Sequence, residues 1–94
     1  MYKQDEIHYD ILQKAREHVR EFERKHPDVR IRFVVRELDA VTGEIVFEVI
    51  FRRYNKFYKR AFSVNELFVM HSWPLIFDMK LKEMYEAMLK EDET

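Results

Sequence analysis

Residues 29–36 read Val-Arg-Ile-Arg-Phe-Val-Val-Arg, and this alternation decides the fold class. Apolar side chains at every second position fall on one face of a β-strand, with mostly arginine on the other. Ile45, Phe47, Val49 and Phe51 repeat the period. The pattern predicts strands over 29–38 and 45–54 and a shorter strand over 57–62. A turn is expected at 39–44, which holds the only glycine of the chain.

On either side of the strands the hydrophobic period changes to that of an amphipathic helix. The first helix is predicted over 4–26 and ends before Pro27, because a proline disfavours helical dihedrals in the residue before it. Ser63-Val64-Asn65-Glu66 is a capping box that starts a helical region over 64–90. Pro74 predicts an interruption of that region near 72–75. The fold class is therefore α+β in the order αβββα, with 1–94 as a single domain.

Composition limits the classes of function. The 94 residues suffice for one core, and a formal net charge of −1 gives no overall basic field for nucleic acid, although a local patch is compatible with it. No apolar stretch is long enough to span a bilayer, and the N-terminus lacks a signal-peptide pattern, so we expect a cytoplasmic protein with no membrane contact. The absence of cysteine excludes disulfides and thiolate chemistry.

No motif predicts catalysis or a cofactor. The four histidines lack the short spacings of metal ligands, and a single glycine cannot form a phosphate-binding loop. Ser72 lies beside His71, but neighbouring helical residues point about 100° apart. We therefore expect a non-enzymatic protein with no catalytic residue, metal or cofactor.

The second face of the predicted sheet is not uniformly polar, since Val34, Val46, Ile50 and Tyr54 fall on it. Either the helices divide the two faces between them, or a second copy of the chain covers one face, because soluble monomers rarely expose large apolar patches. The second alternative is slightly favoured. Trp73 is a further candidate, because tryptophan is enriched among residues that dominate binding. The predicted interface comprises Val34, Val46, Ile50, Tyr54 and Trp73.

Residues 51–60 form the most distinctive local signal, with five cationic and four aromatic residues and no acid. Such interleaving is typical of surfaces that hold phosphates and stack bases. It is equally typical of a sheet end whose cations protect an edge strand while its aromatic rings pack in the core. The nucleic-acid hypothesis assigns contacts to Arg52, Arg53, Lys56, Tyr58, Lys59 and Arg60.

The order αβββα resembles that of the double-stranded RNA-binding domain. Ser63-Val64-Asn65-Glu66 stands where that family carries a lysine cluster, and 39–44 replaces its first loop, which is rich in glycine and proline. These departures remove the residues through which the family binds RNA. The sequence therefore favours a small protein-interaction module that self-associates and has a partner of unknown identity, with weak nucleic-acid binding through 51–60 as the alternative.

Overall fold

The computed structural model describes residues 2–36 and 45–93 and confirms the α+β class and the predicted order. The β1 and β2 strands lie within the predicted strands, while β3 is two residues longer than its prediction. The expected turn at 39–44 and the end of the first predicted strand lie outside the described residues. The elements are α1 (Tyr2–Lys25), β1 (Arg30–Val35), β2 (Val46–Arg53), β3 (Lys56–Ser63), α2 (Val64–Phe68) and α3 (Trp73–Glu93).

The three strands form one antiparallel sheet in the order β1-β2-β3. Phe33 pairs with Val49 between the first two strands, and Phe51 pairs with Tyr58 between the last two. Tyr54 and Asn55 form a two-residue turn between β2 and β3. The central strand therefore has a hydrogen-bonded neighbour on each side.

The core lies on one face of this sheet. Phe47, Val49 and Phe51 of β2 have no exposed surface, and the Phe77 ring of α3 packs edge-on against Phe47 with 5.9 Å between ring centroids. The apolar stripe of α1 is buried against the same core, which also contains residues of α2. The largest fully buried side chains are Phe47, Phe51, Phe77, Leu81, Met84, Met88, Val29, Val49 and Val64.

All three helices contribute buried residues to this single core, so the alternative in which helices divide the two faces is wrong. Helices α1 and α3 each carry one apolar stripe, and packing both stripes on the aromatic face of β2 buries all three surfaces together. A helix moved to the other face would leave Phe47 and Phe51 partly uncovered. No helix of the described residues covers the second face of the sheet.

The C-terminal helical region is interrupted, as Pro74 predicted. The N-cap bond of the predicted capping box forms at its start, where the Ser63 hydroxyl accepts from the Glu66 amide at 3.4 Å. Helix α2 ends at Phe68 and α3 begins at Trp73, so the interruption spans 69–72. Pro74 therefore occupies the first turn of a separate helix, where its missing N–H costs no hydrogen bond.

None of the helices in the described part of the chain is long and apolar enough to cross a lipid bilayer.

Candidate functional site

The sheet face opposite the helices is the candidate functional surface, and we call it the open face. Because Phe47, Val49 and Phe51 point to the helices, the alternate residues of β2 point away from them, together with their partners on β1 and β3. The open face consists of four rows across the sheet: Arg30, Arg52 and Phe57; Arg32, Ile50 and Lys59; Val34, Glu48 and Ala61; and Arg36, Val46 and Ser63.

The first two rows form a basic-aromatic half. Their four cations are exposed, and Phe57 is 66% exposed although it is a large apolar ring. The Arg52 guanidinium carbon lies 5.7 Å from the centroid of that ring. Arg32 and Lys59 flank Ile50 from the two outer strands, about 10 Å apart given the spacing of neighbouring strands. The basic-aromatic half comprises Arg30, Arg32, Ile50, Arg52, Phe57 and Lys59.

The charge of this half is not compensated by acids in the described residues. The ion pairs found among residues 2–36 and 45–93 include none of its four cations. Arg30 and Arg52 are direct partners across β1 and β2, and like charges in that position destabilise a sheet. The protein thus concentrates positive charge on one surface although its formal net charge is −1.

The other two rows form an apolar half. Val34 and Val46 are half-buried there, and Ala61 of β3 pairs with Glu48 of β2. Arg36 Nε donates to Glu48 Oε1 at 2.8 Å, and the Glu48 side chain is only 13% exposed. Glu48 is the one acid on the described part of the open face, and this ion pair neutralises it. The apolar half comprises Val34, Val46, Glu48, Ala61 and Ser63, with Arg36 at its rim.

The structure divides the residues predicted for nucleic-acid contact between two faces. Arg52 and Lys59 lie on the open face, but Tyr58 and Arg60 pair with Phe51 and Val49 and therefore lie on the helix side. Lys56 Nζ donates to the backbone carbonyl of Glu91 at 3.2 Å, also on the helix side. Arg53 is the remaining predicted contact, and its Nε lies 3.4 Å from Asp28 Oδ2.

The residues predicted for a protein interface are also divided. Val34, Val46 and Ile50 share the open face and are half-buried within it. Tyr54 lies in the β2–β3 turn instead, where it is 77% exposed with a φ of 56°. Trp73 begins α3 on the helix side, and its ring centroid lies 6.2 Å from that of His18.

Three residues of the basic-aromatic half were not assigned a site from the sequence. Arg30 and Arg32 were recognised only as the polar face of β1, and Phe57 only as one aromatic of the stretch 51–60. The signal for these arginines was the alternation along β1, which placed them on the sheet face opposite Phe33. Side chains that point to the same side of three paired strands lie on one face. The pairing register was needed to bring Arg30 and Arg32 beside Arg52.

A polar cluster on the helix side joins the end of the sheet to α3. The Tyr85 hydroxyl donates to Asp28 Oδ2 at 2.7 Å, and Arg53 contacts the same carboxylate. The hydrogen bond to Asp28, assisted by partial burial, raises the pKa of Tyr85 above its usual value. The His26 ring packs against Tyr85 with 4.6 Å between centroids. This cluster connects three parts of the chain and has a structural role.

A second polar contact links α1 to α3. His18 Nδ1 lies 2.7 Å from Asp78 Oδ1, beside the rings of Trp73 and Phe77. A histidine and a carboxylate alone do not form a catalytic arrangement, because a nucleophile or a third ligand is also needed. Among the described residues no group of three or more metal-binding side chains converges.

Comparisons with known proteins returned no match from family models, curated proteins or solved structures.

Proposed function

We propose that this protein is a non-enzymatic binding module whose basic-aromatic half binds single-stranded nucleic acid. One observation carries the proposal: four cations without an acidic partner in the described residues surround an exposed phenylalanine on an open sheet. Cations attract phosphates and an exposed ring stacks on a base, which is how many proteins bind single strands without sequence preference.

The shape of the surface favours single strands over duplexes. Phe57 stands on a sheet face, and stacking on its ring requires a base that is not already stacked within a duplex. Arg30 and Arg32 are successive residues of β1 on the open face, so their Cα atoms are roughly 6.6 Å apart. An extended backbone crossing the face would meet cations on all three strands.

The test is binding of a fluorescein-labelled oligothymidylate of about twelve nucleotides, followed by fluorescence anisotropy at several salt concentrations. Four phosphate contacts predict a log-log salt slope of about −2.8. Replacing Arg52 and Lys59 by glutamine should make that slope shallower by about 1.4. Phe57→Ala should weaken binding about tenfold at constant slope, because stacking is lost and no charge is removed.

A matched control is Lys82→Gln, which removes one exposed cation from α3 on the helix side. This variant should bind as the unaltered protein does. The proposal is rejected if anisotropy does not rise at about 0.02 M salt, where electrostatic binding is strong. Equal losses for Lys82→Gln and the open-face variants would also reject it, since the attraction would then be unspecific.

Self-association is a second candidate function, supported by the apolar half of the open face. Val34 and Val46 lie at the end of the sheet away from Arg30 and Arg52. A two-fold arrangement centred on these valines would bury them while keeping the two basic-aromatic halves apart. Complete overlap of two open faces is disfavoured, because it would bring the exposed cations of both copies together.

Sedimentation at micromolar to millimolar protein concentration tests this candidate. A dimer through the apolar half should have about twice the 11.7 kDa chain mass. Val46→Glu should convert it to monomer, whereas Phe57→Ala should not change its mass. A monomer at the highest concentration would rule out self-association and would leave the nucleic-acid proposal unaffected.

A further inference from the structure

We propose that the outer edge of β1, under α1, binds an acidic peptide in extended conformation as an additional strand. This site adjoins the open face, with which it shares Arg32 and Val34, but it does not depend on the nucleic-acid proposal. It combines an edge strand with outward backbone groups, an apolar floor and arginine side chains along both sides.

The hydrogen-bond register determines which backbone groups face outward. The Arg36 amide donates to the Val46 carbonyl at 2.7 Å, which fixes the hydrogen-bonded partners of β1 and β2. Because such partners alternate along an antiparallel pair, the N–H and C=O groups of the residues between them point away from β2. The residues of β1 whose N–H and C=O groups point outward, away from β2, are Ile31, Phe33 and Val35.

One of these outward amides is already used. The Ile31 N–H donates to Glu23 Oε2 of α1 at 2.7 Å, which confirms the direction of the alternation. The next outward amides along the edge belong to Phe33 and Val35. An added strand would accept from these two amides and donate to the carbonyls beside them, as peptides do when they extend a sheet.

A groove follows this edge. Its central part has a volume of about 270 Å³ and lies between α1 and residues 31–34 of β1, with Val19, Ile31 and Phe33 on its floor. A second cavity of about 420 Å³ continues it toward Val29 and Pro27. The two cavities share Arg20 and Glu23. The groove therefore runs along most of the strand.

The charges along the groove select the occupant. Arg16 and Arg20 of α1 and Arg32 of β1 line the central part, and the Arg16 guanidinium carbon lies 5.3 Å from the centroid of the Phe33 ring. Among the described residues, Glu23 is the one acid that lines the two cavities, and its carboxylate accepts from the Ile31 N–H. An occupant with carboxylates is therefore electrostatically complementary.

The geometry of the β1 edge favours an acidic peptide over a nucleic acid. A peptide strand offers alternating donors and acceptors that match Phe33 and Val35, whereas a phosphate backbone offers acceptors alone. The charges also disfavour pairing with β1 of a second copy, because Arg30 and Arg32 would approach the arginines of that copy.

The test uses a peptide of alternating glutamate and valine, matched to the six residues of β1 and blocked at both termini. Amide hydrogen exchange is measured by NMR with and without this peptide. We expect exchange of the Phe33 and Val35 amides to slow at least about tenfold at saturation, because each gains an acceptor. Exchange in β3 should not change.

Five comparisons make the result specific. Replacing both Arg16 and Arg20 by glutamine should weaken peptide binding about tenfold, while Lys82→Gln leaves it unchanged. A lysine-valine peptide should not bind. A glutamate-valine peptide methylated on the backbone nitrogens that face β1 should also fail to bind, because it cannot extend the sheet. Replacing Arg52 and Lys59 by glutamine should leave peptide binding intact even if nucleic-acid binding is lost.

The inference is overturned by unchanged exchange of the Phe33 and Val35 amides at millimolar peptide. It is equally overturned if the methylated peptide binds as well as the unmodified one, since attraction would then be electrostatic only. Oligothymidylate that protects these two amides would assign the groove to nucleic acid, and protection that appears with protein concentration alone would assign it to a second copy.

Discussion

At the scale of single residues, Tyr54 is the one non-glycine residue with a positive φ in the described part of the chain. Its φ of 56° lies in the left-handed region, which costs a residue with a Cβ atom about 1 kcal/mol. The two-residue turn between Arg53 and Lys56 imposes this conformation. The sequence could not indicate it, because glycine, asparagine and aspartate are the usual residues at such positions.

Tyr54→Gly should therefore raise the free energy of unfolding by up to about 0.5 kcal/mol. This is the strain relieved in the folded protein minus the cost of the greater entropy of glycine in the unfolded chain. Urea denaturation measures the change. Asn55→Gly is the control and should lower the free energy of unfolding, because Asn55 has no positive φ to relieve. A loss of stability in Tyr54→Gly would mean that the contact between Tyr54 and the Arg53 guanidinium outweighs the strain.

Tyr85 gives a prediction for alkaline pH. Its pKa is raised in the folded protein by the hydrogen bond to Asp28, so the unfolded chain loses this proton first as pH rises. The stabilisation is complete below about pH 10, the pKa of an unperturbed tyrosine, and is lost as pH rises through the folded-state pKa. Tyr85→Phe should lower stability by about 1 kcal/mol at neutral pH.

The same substitution should flatten the decline in stability above about pH 10. Thermal denaturation across this range, with Tyr9→Phe as a control on the exposed surface of α1, separates the two tyrosines. Ultraviolet titration should lose a phenolate that forms above the usual tyrosine pKa in Tyr85→Phe. An unchanged pH dependence would contradict the assignment to this hydrogen bond.

At the scale of elements, the alternating period identified β1 and β2, and the capping box identified the start of α2. The prediction for β3 was too short, because Lys56 and Ser63 are polar at the two ends of a strand whose pairing with β2 extends to both. The interruption of the C-terminal region followed from Pro74 alone. That α2 would end at Phe68 did not follow, since the apolar pattern continues through Val69 and Met70.

The position of Pro74 in the first turn of α3 predicts the effect of its removal. Pro74→Ala should lower the free energy of unfolding by about 0.4 to 1 kcal/mol, because alanine adds freedom to the unfolded chain and restores no hydrogen bond. A proline in a helix interior would give the opposite result, a gain of about 3 kcal/mol. Guanidinium denaturation distinguishes the two. Leu75→Ala, at an exposed neighbouring residue, is a control with little expected effect.

At the scale of the whole molecule, the sequence indicated that both sheet faces carry apolar residues but left open whether the helices cover one face or both. Val34, Val46 and Ile50 are as hydrophobic as the core residues opposite them, so hydrophobicity alone left the choice open. Packing determines which face the helices cover, because the larger aromatic rings of Phe47 and Phe51 need more contact with the helices to be buried. The open face and its basic-aromatic half follow from that choice.

The like charges of Arg30 and Arg52 predict opposite effects on stability and binding. Arg30→Gln should raise the free energy of unfolding by about 0.2 to 1 kcal/mol, because it removes a repulsive cross-strand pair. The same variant should weaken oligothymidylate binding and make the salt slope shallower by about 0.7. Urea denaturation measures the change in stability, and fluorescence anisotropy on the same preparation measures the change in binding. A fall in stability would show that Arg30 has a favourable role in the fold.

The positive open face on a chain of net charge −1 has a consequence for association kinetics. At about 0.15 M salt, electrostatic fields decay over about 8 Å, less than the 18 Å smallest extent of the Cα trace, so an approaching polyanion senses only the surface it meets. At about 0.01 M salt the decay length is about 30 Å, and the acids of the helix side are sensed as well. We therefore expect the association rate constant to pass through a maximum at intermediate salt, whereas a uniformly basic protein would associate fastest at the lowest salt.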